Sequence, residues 1–139
     1  MAEGTLRFEL ATPTRLMVSA EADEVVAPGS EGSFGVWPGH APFLTTLASG
    51  EVTYRSGRDV RALAVHGGFA EVGGERVILL ADSAEEPEEI DVARAQRARE
   101  RAERRLAGKT PEEIDYTRAL TALTRALARL QVAGRTASR

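Results

Sequence analysis

The run Glu85-Glu86-Pro87-Glu88-Glu89-Ile90-Asp91 separates two halves of unlike chemistry. It holds five acids and no base within seven residues. Eleven of the 13 glycines lie before residue 84, together with Pro13, Pro28, Pro38 and Pro42. Beyond the run the chain is rich in Ala, Arg, Glu and Leu, with only Gly108, Gly134 and Pro111 to interrupt it. Glycine and proline punctuate strands and turns, whereas the later residues propagate helix. The pattern predicts a β domain over 1–86 and a helical domain over 87–139.

Working upstream, Leu6, Phe8 and Leu10 alternate with Arg7 and Glu9. That is the period of a half-buried strand. Similar short runs lie at 16–18, 24–27, 52–55, 60–65, 69–72 and 76–80. Gly73-Gly74 predicts a tight hairpin turn between the last two. The glycine-rich segment 28–35 reads as a set of turns. Short strands at this spacing predict a β-sandwich or flattened barrel.

Working downstream, the segment Pro-Glu-Glu-Ile-Asp occurs twice, at 87–91 and 111–115. Both copies read as helix openings, with acids at the positive end of the helix dipole. Asp91 is the expected cap of the first helix, over 91–107. Thr110, Pro111 and Glu113 form the expected capping box of the second, over 111–133. The two make an antiparallel hairpin with a short connection. On the second helix Leu120, Leu123, Leu127 and Leu130 form an apolar stripe. Arg118, Arg125 and Arg129 fall on the opposite side, with Ala119, Ala122 and Ala126 between. Ala95, Ala98, Ala102 and Leu106 line one face of the first helix. Alanine faces permit close approach but bury little area, so the expectation is a weakly held, movable hairpin.

Charge is uneven. The 139 residues carry a net charge of −3. Residues 1–84 hold 6 basic and 11 acidic side chains, and residues 85–139 hold 12 and 10. From residue 116 onward there are five arginines and no acid. Such an end suits an acidic partner, or is simply a solvated helix face.

The chemistry is mostly one of exclusions. There is no cysteine, and His40 and His66 are not spaced as metal ligands, so no metal site is expected. Neither a Gly-x-Ser-x-Gly elbow nor a phosphate-binding P-loop is present, and no catalytic residue is assigned. The segment 28–35 is followed by no helix signal, and Glu31 would repel phosphate. No apolar run approaches the ~18 residues of a membrane span. Met1-Ala2-Glu3-Gly4 begins no secretory signal, so any membrane association is expected to be indirect. Trp37 and His40 bracket Pro38-Gly39 in an expected exposed loop that could anchor a partner.

Several blocks in order resemble the epsilon subunit of the bacterial F-type ATP synthase. They are Gly29-Ser30-Glu31-Gly32, Gly35-Val36-Trp37-Pro38-Gly39-His40-Ala41-Pro42, Leu44-Thr45, Gly67-Gly68-Phe69-Ala70-Glu71-Val72, 77–82, Ile90-Asp91-Val92-Ala93-Arg94-Ala95 and Asp115-Tyr116. The resemblance covers nearly the whole chain. It implies a non-catalytic rotor subunit of the central stalk that couples proton flow to ATP synthesis. It implies a gamma-subunit contact at His40, Ala41 and Thr45, and a contact with the c-subunit ring at Glu31, Gly32 and Ser33. The hairpin would inhibit ATP hydrolysis through Arg118, Arg125 and Arg129 on an acidic segment of the beta subunit, in the alpha/beta catalytic head. No cofactor is required by the resemblance. Regulatory ATP is the ligand it suggests, held at Ile90, Asp91, Arg94 and Ala95, with Arg118 or Arg125 reaching across. The implied location is peripheral, on the cytoplasmic face of a bacterial cell membrane.

The competing expectation is an independent β-sandwich module whose basic hairpin binds an acidic partner or nucleic acid. The acidic sandwich opposes nucleic acid, as does the lack of aromatics interleaved with the arginines.

Overall fold

The structure is a computed structural model that describes residues 4–108 and 113–137. The described residues form eight strands, a short 3₁₀ turn and two helices. The strands are β1 (Leu6–Ala11), β2 (Leu16–Ala22), β3 (Glu24–Gly29), β4 (Gly32–Val36), β5 (Phe43–Ser56), β6 (Asp59–Gly73), β7 (Arg76–Ala81) and β8 (Ala84–Glu85). The 3₁₀ turn Pro87–Glu89 leads into α1 (Val92–Leu106), and α2 is Glu113–Ala137.

Two long strands organise the sandwich. The first part of β5 pairs with the end of β6, beside β7, β1 and β2. The second part of β5 pairs with the start of β6 and with β3, which carries β4 at its edge. The same two strands therefore run through both layers, and the strand order is β2-β1-β7-β6-β5-β3-β4, with β8 on β6. All pairs are antiparallel except β1 with β7, which run parallel from Arg7↔Arg76 to Ala11↔Leu80. Leu6, Phe8 and Leu10 are fully buried and meet Val25, Val52, Leu63, Val77 and Leu79 in the core. The alternation of β1 thus has its expected meaning.

The predicted fold class holds, but the strands at 60–65 and 69–72 are one strand, and 43–51 also lies in a strand. Gly50, Gly67 and Gly68 read as breaks, yet each lies inside a paired strand. Gly67 and Gly68 have φ of +78° and +124°, which bends β6 without ending its pairing. Part of the segment 28–35, read as turns, is β4: Gly32 pairs with Gly29, leaving Ser30-Glu31 as a two-residue turn. Glycine-rich sequence tolerates a strand when neighbours approach closely, and a Cβ on Gly29 would lie 2.8 Å from the Gly32 carbonyl oxygen.

Asp91 caps α1, accepting a hydrogen bond from the Arg94 amide at 3.0 Å. The capping box at Thr110, Pro111 and Glu113 falls outside the residues whose placement and side chains are described. The helices pack against each other, and α2 lies on β5 and β6. Ala95 and Ala102 are buried as expected. The leucine stripe is not the buried face of α2. Ala119, Ala126, Ala128 and Val132 are buried, while Leu120 and Leu127 are 45% exposed. The reason is the size of the neighbouring surfaces. Ala62 and Ala64 of β6 meet Val132 and Ala133 on one side, and the alanine face of α1 stands on the other. Small residues facing small residues bring the backbones close, and leucines are displaced to the rim.

Candidate functional site

Two surfaces of opposite character stand out. The first is an apolar row on the outside of the sandwich. Leu16 pairs with Ala11, Ala11 with Leu80, Leu80 with Phe69, and Phe69 with Thr46. These residues cross five strands in register. Leu16, Phe69 and Leu80 are each more than half exposed, as is Leu44, two residues from Thr46. The row ends at the β3–β4 turn, where the Ser30 amide donates to the Thr46 carbonyl at 2.9 Å. Elsewhere the outer face of β1 and β2 is polar: Arg7 reaches Ser19, Glu9 and Glu21. Apolar residues gathered at one end of an otherwise charged face mark an interaction site.

The predicted partner-contact residues are divided between that row and the β6–β7 hairpin: Thr45 and the β3–β4 turn adjoin the row at Thr46, whereas His40 and Ala41 stand by Gly74 and Phe43. His40 sits in a tight turn, its amide 3.2 Å from the Trp37 carbonyl, and the Gly39 amide donates to Gly74 at 2.7 Å. The imidazole stacks near Phe43 at 5.2 Å, and Phe43 meets Phe34 edge-on at 5.1 Å. Ala41 is exposed and Thr45 half-buried. Glu31, Gly32 and Ser33 are exposed on the β3–β4 turn and the start of β4. Because that turn is bonded to Thr46, next to Thr45, the two predicted contact sets meet at Thr45. Sequence reading missed Leu16, Leu44, Phe69 and Leu80. Their signal was available in principle: each is a large apolar side chain at a solvent-facing strand position.

The second surface is the seat of α2. Arg129 Nε donates to Glu85 at 2.6 Å, Arg135 to Glu51 at 2.5 Å and Gln131 to Glu51 at 3.2 Å. Beneath them lie a small apolar layer of Ala62, Ala64, Ile90 and Val132 and the buried His66. Arg15 holds Glu89 at 2.6 Å, tying the β1–β2 connection to the 3₁₀ turn. The acidic run is thus divided among separate tasks. Glu85 faces α2, Glu89 faces Arg15 and Asp91 caps α1. Burial, then Glu88 and Glu89, pushes the Glu86 carboxyl up. The Glu86 amide, then Arg15, holds Glu89 below its ordinary value.

The arginine set is split. Arg118 and Arg125 are exposed, whereas Arg129 is half-buried and turned onto Glu85, which corrects the expectation of one basic outer stripe. Of the expected nucleotide residues, Ile90 and Ala95 are buried in packing and Asp91 is a cap. Arg94 remains exposed. Counted from the hairpin connection, Arg125 stands about level with Arg94, and Arg118 lies two turns, about 10 Å, nearer the connection. Asp91→Ala is expected to cost about 1 kcal/mol. Amide exchange should show the loss in the first turn of α1, with β1 and β7 unchanged. No group of three or more metal-ligating side chains occurs among the described residues, and no described helix is long and apolar enough to cross a membrane.

Together the features define a docking protein, a β-sandwich adaptor with a helical arm folded against it. The family description "ATP synthase, Delta/Epsilon chain, beta-sandwich domain" matches residues 5–87, and "ATP synthase, Delta/Epsilon chain, long alpha-helix domain" matches residues 88–134. ATP synthase epsilon chain 2 of Syntrophotalea carbinolica is 51% identical over 130 residues, covering 94% of both chains. The ATP synthase epsilon chain of Syntrophobacter fumaroxidans is 53% identical over 131 residues, covering 94% of this chain and 97% of its own. A chain of the Euglena gracilis mitochondrial ATP synthase shares the fold, with a TM-score of 0.78 at 22% identity over 98% of this chain and 82% of that one. The chain belongs to the ATP synthase delta/epsilon family, as an epsilon subunit of the F-type central stalk.

Proposed function

We propose that this chain is a non-catalytic rotor subunit that couples proton flow to ATP synthesis and restrains ATP hydrolysis with its helical arm. In this reading residues 1–86 form the docking domain. His40, Ala41 and Thr45 meet the gamma subunit, with Leu44, Phe69 and Leu80 supplying apolar area. Glu31, Gly32 and Ser33 meet the c-subunit ring. The assembly holds the chain peripherally at the cytoplasmic face of the bacterial cell membrane. Residues 87–139 form the regulatory domain. Arg118, Arg125 and Arg129 engage an acidic segment of the beta subunit once the arm leaves its seat.

The observation that carries this reading is how the arm is held. Small apolar residues and a few ion pairs fasten α2 to the sandwich. Partly exposed pairs of this kind contribute roughly 0–1 kcal/mol each. A helix fastened so lightly can exchange its seat for an acidic partner. Arg129 gives the exchange its logic, since the side chain that holds Glu85 at home is one of the three offered to the beta subunit. Regulatory ATP fits the folded arm only in part. Arg94 and Arg125 are the groups left to hold a triphosphate, while Ile90 and Asp91 act by packing and capping. The test is steady-state hydrolysis by the catalytic complex rebuilt with the full chain or with a chain ending at Glu86. Several-fold faster hydrolysis with the short chain is expected. Equal rates would remove the inhibitory role and leave the docking role standing.

A further inference from the structure

We infer that the contact between sandwich and arm is gated by pH, with His66 required to be neutral for α2 to stay seated. The inference rests on the movable-arm reading above and adds to it a controlling group.

Strand parity places His66. Leu63 and Val65 of β6 point into the sandwich core, while Ala62 and Ala64 point at α2. His66 continues the second set and is 5% exposed. Its Nε2 lies 3.3 Å from Glu85 Oε1, the oxygen that also accepts from Arg129 Nε at 2.6 Å. A carboxylate only accepts, so the ring donates from Nε2 and leaves the lone pair on Nδ1. Nδ1 is buried and has no hydrogen-bond partner. A second proton would therefore place an N–H where nothing accepts it, and would do so beside two arginines.

The charged groups around the ring come from several elements. Glu85 faces it from β8, and Arg129 and Arg125 act on it from α2. On β5 the cross-strand partner of His66 is Ser49, and nearby Glu51 is occupied by Arg135 and Gln131. Asp82 stands beside Gly67, the next residue of β6. Burial pushes the imidazole below its ordinary value; the hydrogen bond to Glu85 pulls it back in part, and Arg129 pushes it down again. A depressed value in the seated state means that seating favours the neutral ring. The contribution is complete above the ordinary histidine value of about 6.5 and is lost as pH falls through the depressed value. Acid thus loosens the arm.

The test uses the full-length chain, which has no cysteine of its own. Donor and acceptor dyes on Asp59→Cys and Thr121→Cys, both exposed positions, report whether α2 is seated. Between pH 7.5 and 5.5 the unseated-to-seated ratio is expected to rise about threefold or more, and to stay flat when His66→Gln is added. In the unlabelled parent chain, the carbon-13 resonance of His66 Cε1 is expected to titrate below the ordinary histidine range. The α2 amides should shift in step. A parent-like pH response in His66→Gln overturns the gate, as does a His66 titration at or above the ordinary value. Dyes that separate equally at every pH overturn the gate alone. Dyes that never separate, even with Arg129→Gln, overturn the movable arm as well.

Discussion

Glutamate at both Phe69 and Leu80 is expected to weaken association with the gamma subunit by two orders of magnitude or more. The two side chains are neighbours across β6 and β7, and both are largely exposed in the isolated chain. Replacing them should therefore change the stability of the sandwich by about 0.5 kcal/mol each. At an interface the balance differs. A large side chain at the centre of a patch contributes about 2 kcal/mol or more, and an unpaired carboxylate buried in its place adds a further penalty. Since about 1.4 kcal/mol is tenfold in affinity, the pair exceeds a hundredfold. Calorimetric titration of the variant with the gamma subunit checks the affinity, and a thermal melt of the free variant checks the fold. Unchanged affinity would move the stalk contact away from this row.

Gly68→Ala is expected to destabilise the sandwich by about 3–5 kcal/mol. Gly68 has φ of +124°, a conformation that side-chain-bearing residues rarely adopt. A Cβ there would fall on the Leu80 carbonyl oxygen and lie 2.8 Å from Ala81 Cα. Both obstacles are backbone of β7, so no rotamer change relieves them. Urea unfolding followed by circular dichroism checks the loss. An effect below about 1 kcal/mol would mean that β7 can shift away from β6 at little cost.

These two positions also show where sequence reading ends. The strand at Leu6–Ala11, the Asp91 cap and the alanine face of α1 were legible, because each depends on residues near one another in the chain. Gly68 was read as punctuation, because a bend within a paired strand and a turn between strands use the same residue. Phe69 passed unnoticed for a related reason. Its neighbour Ala70 takes the buried position, so size alone misleads about which side faces the core. The leucines of α2 failed for want of the facing surface, since only the neighbours of a helix decide whether alanine or leucine goes inward. Arg129 failed with them. Its partner Glu85 lies 44 residues away and was legible only as part of an acidic run. His40, Ala41 and Thr45 were located by resemblance, but the adjacency of Thr45 to Glu31 depends on the bond between Ser30 and Thr46.

The parallel pairing of β1 with β7 bears on how the chain is made. During synthesis β1 is followed directly by its partner β2, yet its other edge must wait for residues 76–80. Meanwhile β5 and β6, joined by a tight turn, can zip together locally. Low sequence separation favours that early step, and the β1–β7 junction is slow by comparison. Until it closes, the nascent chain carries an open strand edge, a template for pairing with a neighbouring copy. The helical arm is synthesised later still. Its seat is built on β5 and β6, the pair that forms early, and is finished by β8 at Ala64 and Val65 just before the arm begins.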